Sequence, residues 1–154
     1  MQEMDRRIAL LRLLLADITA REGQAREAHD QLRGQLTRIV DFTVRQNAGV
    51  SHALSAMEEV EERLAQQEAM LRHLALLRVR AQGELQALLV TRGVADARAR
   101  LAELETRRAA LLASAQSAAH HGEIAAIDAE IDELQGLIQQ ASEAAARSLT
   151  QGLE

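Results

Sequence analysis

Five histidines and one run of glutamates are the residues of this chain best equipped for chemistry. His120, His121 and Glu123 fall within four positions, and imidazole with carboxylate is a ligand set that transition metals accept. Adjacent histidines beside a glycine more commonly close a helix in solvent, and that reading is preferred. His29 stands on an apolar helical stripe. A single polar residue there can fix register, and a hydrogen-bonded core histidine is preferred to a pH switch. Glu58, Glu59, Glu61 and Glu62 form the sharpest acidic cluster and are suited to a basic partner. Early in a helix such carboxylates also match the dipole and stay solvated.

No catalytic constellation stands behind these groups. A carboxylate-bridged metal site in a helical bundle needs Glu-x-x-His on core faces, and no histidine here has a glutamate three residues before it. The phosphate-loop, hydrolase-elbow and zincin motifs are absent. There is no cysteine, so no thiolate nucleophile, thiolate metal site or disulfide framework exists. Packed coiled-coil layers also supply little concave volume for a substrate. The expectation is a non-enzymatic protein with no cofactor, no metal and no small-molecule substrate.

Composition narrows the fold. The 154 residues are 47% hydrophobic and 27% charged, with one aromatic residue, Phe42, and no proline. Strands need aromatic or β-branched residues and frequent turns, whereas this Ala/Leu/Glu/Arg/Gln-rich chain suits long helices. All 18 basic residues are arginine, which fits a GC-rich genome, and the net charge is −5. An acidic chain without an aromatic platform lacks both usual sources of nucleic-acid affinity. The leucine-rich stretch 8–18 is interrupted by Arg12 and Asp17, and no apolar run approaches the ~18 residues of a membrane span. A soluble, cytoplasmic protein without a conventional export signal is expected.

Apolar spacing of alternating three and four residues marks coiled-coil seams. The first begins Ile8, Leu11, Leu15, Ile18 and continues through Glu22, Ala25, His29 and Leu32 to Leu85 and Leu88. A second runs Val94, Ala97, Leu101, Leu104, Arg108, Leu111 and on to Ala118, and a third runs Ile124, Ile127, Ile131, Leu134, Ile138, Ala141. The register slips near Gly93, which predicts a helix end there, with Asp96 capping the next helix. It slips again across residues 119–123, which predicts a reversal at His121 that would set Leu104 opposite Ile138 and Arg108 opposite Leu134. Residues 94–118 hold four arginines against three acids, and 119–154 hold one arginine against seven acids, so these two faces are complementary.

The first ninety residues admit two readings. One is a single helix about 130 Å long. The other is a hairpin turning at Asn47-Ala48-Gly49, with Ser51 or Ser55 as the following cap. The hairpin is preferred, because it sets His29 opposite Gln67 and brings Glu22 within a turn of Arg78.

The resulting expectation is an all-α antiparallel coiled coil or helical bundle of about four helices in two hairpins. Residues 1–92 form the longer hairpin, turning near 47–50. Residues 94–151 form the shorter, turning near 119–123 and packing on the base of the first, with 26–69 projecting as a stalk. Leu10, Leu13, Leu14, Leu76, Leu77 and Leu89 lie off the seam and are assigned to bundle or oligomer contact. Val40, Phe42, Val44 and Leu54 near the turn, with Glu58, Glu59 and Glu62, are the candidate partner-binding residues. The function expected is a structural or adaptor coiled coil acting through a protein partner or self-association. A helical clamp for a client helix and a membrane-surface binder are the alternatives. Residues 1–46 carry eight arginines against seven acids, too even a balance to favour lipid.

Overall fold

The computed structural model describes residues 2–46, 49–114 and 117–151. The chain is all-helical: α1 spans Gln2–Gln46, α2 Val50–Ala113 and α3 His121–Gln151, with a short 3₁₀ turn at Ser117–His120 leading into α3. Two compact units divide it, Met1–Leu85 and Gln86–Glu154, so the 64-residue α2 contributes to both.

In the first unit α1 and the N-terminal part of α2 form an antiparallel hairpin. Arg78 Nη2 donates to Glu22 Oε2 at 2.5 Å and to Thr19 Oγ1 at 3.3 Å. His29 Nε2 lies 3.6 Å from Glu68. Ile8, Ile18, Ala25 and Leu32 of α1 and Val60, Leu74 and Ala81 of α2 are buried, which is the 3–4 spaced seam closing on itself. Asn47 and Ala48 of the expected turn lie outside the described residues. Gly49 precedes α2, and its carbonyl accepts from His52 N–H at 3.2 Å and Ala53 N–H at 3.3 Å. The helix therefore starts at Val50, and Ser51 and Ser55 are interior residues rather than caps.

Among the described residues three α-helices stand where four were expected, because α2 passes through Gly93 without a break. A slip in side-chain register moves the apolar stripe around a helix and requires no interruption of its backbone hydrogen bonds. Asp96 caps nothing, and instead faces Arg92 one turn earlier at 3.8 Å. A lone glycine among good helix formers weakens a helix by only about 1 kcal/mol. A Cβ at Gly93 would meet nothing within 4 Å. Gly93→Ala is accordingly expected to raise stability by about 0.5–1 kcal/mol in chemical denaturation. A left-handed cap glycine would give a loss instead.

The second unit pairs the C-terminal part of α2 with α3. Arg100 Nε donates to Glu130 at 2.9 Å, Arg108 Nε donates to Asp128 at 2.5 Å, and Arg107 pairs with Glu123. These contacts place α3 about one heptad away from the expected register. Reversal at His121 would have set Arg100 level with Ser142 and Arg108 level with Leu134. α2 ends earlier than that, at Ala113, and α3 begins at His121 itself. Gly122 is thus a helical residue and no C-terminal cap. Arg108 gains Asp128 as its counter-charge, where a lone snorkelling arginine was expected. Leu104 and Ile127 are the buried side chains of this unit, and Ile138 lines a groove with Val94 and Ala97 rather than facing Leu104.

Candidate functional site

The off-seam leucines are the most distinctive surface of the first unit. Leu10, Leu13 and Leu14 on α1 and Leu76 and Leu77 on α2 are all exposed. Leu89 is half-buried and belongs to the second unit.

The two flanks of the first hairpin differ. A helix advances about 100° per residue, so each seam has one set of neighbours on either side. Thr19 and Glu68, which make the polar contacts across the helices with Arg78 and His29, occupy one flank, and Arg12, Arg26, Arg33 and Glu61 stand at equivalent positions. Leu14, Arg21, Ala28 and Phe42 of α1 and Ala56, Arg63, Met70 and Leu77 of α2 occupy the other. That second flank is grooved. A depression of about 750 Å³ lies between Ala20, Ala28, Met70 and Leu77, and another of about 420 Å³ near the tip is lined by Ile39, Phe42, Ala53 and Ala56.

The expected partner-binding residues divide between these flanks. Val40, Phe42, Val44 and Leu54 are all exposed. Val40 and Val44 each stand two residues from Phe42, about 200° around α1. Phe42 alone of the four enters the tip groove. Ile39, His52, Ala53 and Ala56 join it there, and counting around the helix from the seam would have found them. Glu58, Glu59 and Glu62 are exposed, and Glu59 accepts from Arg63 at 2.6 Å. With α2 starting at Val50 they stand beyond its first turn, so the helix dipole does not account for them.

No family model, curated protein or solved structure matches this chain.

His120 Nδ1 lies 3.7 Å from Glu123, whose carboxylate also receives Arg107. Among the described residues no three of His, Cys, Asp or Glu converge as metal ligands. The Glu130 carboxylate, by hydrogen bond and then by charge, raises the Arg100 pKa above its ordinary value. Among the described residues no buried side-chain nitrogen or oxygen lacks a partner. Among the described residues no helix is long and apolar enough to cross a membrane.

Proposed function

We propose that the chain is a non-enzymatic structural or adaptor protein, working in the cytoplasm through protein–protein assembly as a homo-oligomer or a small subunit of a larger complex. The observation that carries this reading is the exposure of Leu10, Leu13, Leu14, Met70, Leu76 and Leu77 within one hairpin. Large apolar side chains left open on one hairpin point to an interaction surface in a protein that remains dispersed. The groove beside Met70 and Leu77 favours one further reading, a clamp that holds an amphipathic client helix.

Gentle native purification of the tagged protein from its own source, followed by absolute mass and composition, tests both. A homo-oligomer or a stoichiometric second protein supports assembly. A second protein contributing a single amphipathic helix supports the clamp. A lone monomer at cellular concentration counts against either.

Phe42 offers a narrower test. Its side chain is 54% exposed, so Phe42→Ser is expected to change folding stability by less than about 0.5–1 kcal/mol. Partner or self-association is expected to weaken at least several-fold, read by titration. A large loss of helicity would place Phe42 in a core.

A further inference from the structure

The grooved flank of the first hairpin sets Leu14, Ala28, Phe42, Ala56, Met70 and Leu77 among charged side chains. We propose that it pairs with a second copy of the chain, the two hairpins lying side by side in the same direction, with α1 of each against α2 of the other. This rests on the assembly reading above and names its partner.

The hairpin register supplies the argument. His29 is level with Glu68 and Thr19 with Arg78. Counting outward from these pairs along both helices, Asp17 is level with Arg80 and Arg38 with Glu59, all four on the outer edge of the grooved flank. Within one chain each of these charges lies toward a neighbour on its own helix or toward solvent: Asp17 pairs with Arg21, Glu59 with Arg63 and Arg80 with Glu84. When two hairpins meet flank to flank, Asp17 comes beside Arg80 of the partner subunit, and Arg38 beside Glu59 of the partner subunit. Opposite charges then meet at both levels.

Size is matched in the same way. Ala28 is level with Met70, and Ala56 with Phe42, so a large side chain of one copy meets a small one of the other at both levels. Leu10, Leu14, Phe42, Met70 and Leu77 of this flank are 41–56% exposed, with Leu13 and Leu76 at its margin. These open apolar side chains contribute to the ~800 Å² of total surface, polar and apolar, that each partner brings to a standard stable interface. A two-fold axis parallel to the hairpins satisfies all of these pairings at once and closes a four-helix bundle.

The absence of cysteine from the chain makes the test direct. Full-length Asp17→Cys and Arg80→Cys chains are prepared separately, mixed, allowed to exchange and oxidised. The expected product is the mixed disulfide between the two variants, several-fold in excess of either self-linked dimer, and the unmodified chain is expected to show about twice 16.9 kDa by light scattering at micromolar concentration. Met70→Glu, at an exposed position, is expected to keep full helicity and lose the dimer. A monomeric mass throughout, self-linked Asp17→Cys dimers equal in yield to the mixed product, or a Met70→Glu dimer of undiminished stability would each overturn the pairing. A monomer that co-purifies natively with a different protein would overturn self-pairing alone and leave the adaptor reading standing.

Discussion

Leu104→Arg is expected to unfold much of the second unit. Leu104 is 2% exposed and belongs to a seam whose other buried side chain is Ile127. Removing a leucine from such a position alone removes about 2–5 kcal/mol. Arginine adds the expense of placing a guanidinium among apolar side chains without a counter-charge. One turn further on, Arg108 is tolerated only because Asp128 accepts from it at 2.5 Å and both groups are partly exposed. The expected result is a loss of several kcal/mol in denaturant melts followed by circular dichroism. Amide exchange should rise across residues 86–154 and remain slow in the buried positions of residues 1–85. Leu112→Arg, at a residue 50% exposed, is the matched control and should change stability by about 0.5 kcal/mol or less. An unchanged melt for Leu104→Arg would mean that the seam of the second unit is misplaced.

That seam was legible in the sequence, and so was the fact that it pairs antiparallel with Ile124, Ile127 and Ile131. Spacing carries such information because burial repeats every three or four residues whatever lies at the ends. Chain reversals are less legible, and the two joints show why. At Gly93 a register slip coincided with a glycine and a plausible cap, yet the backbone continues, because side-chain stripe and main-chain hydrogen bonding are independent. Between Ala113, where α2 ends, and His121, where α3 begins, the sequence is rich in alanine and serine and holds no glycine or proline. There Ser114 closes α2 locally, its N–H at 3.3 Å and its hydroxyl at 2.9 Å both donating to the Leu111 carbonyl. Placing the turn at the more conspicuous His120-His121-Gly122 shifted the pairing by a heptad and made Arg108 look unpaired.

The candidate site was legible by residue and not by face. Every off-seam apolar residue singled out in the first unit is exposed, because position relative to the seam predicts burial directly. Which of them share a surface depends on the angle around each helix and on the level at which the two helices meet. The first separates Phe42 from Val40 and Val44. The second needs a fixed point between the helices, and His29 with Glu68 and Arg78 with Glu22 and Thr19 supply it.

The Glu22–Arg78 pair is expected to act more on register than on net stability. Glu22 keeps only 6% of its side chain exposed, whereas Arg78 keeps 33%. Arg78→Ala strands the buried carboxylate, a change that removes about 3–5 kcal/mol where burial of both partners is complete. Here Arg78 is partly solvated, and Arg26 stands 3.7 Å from the same Glu22 oxygen on an exposed side chain. A loss of about 2–3 kcal/mol in denaturant melts is therefore expected. Replacing both residues with leucine removes the desolvation penalty together with the attraction, and should leave stability unchanged or raised by about 1–4 kcal/mol. What the double variant gives up is the constraint on alignment, since an uninterrupted apolar seam fits as well when one helix slides by a heptad. Cysteine pairs across α1 and α2, one in the present register and one shifted by seven residues, would read this. Only the first should oxidise in the otherwise unchanged chain, and both should in the double-leucine variant. A loss below about 1 kcal/mol for Arg78→Ala would place the pair among ordinary surface contacts and leave the seam itself to set the register.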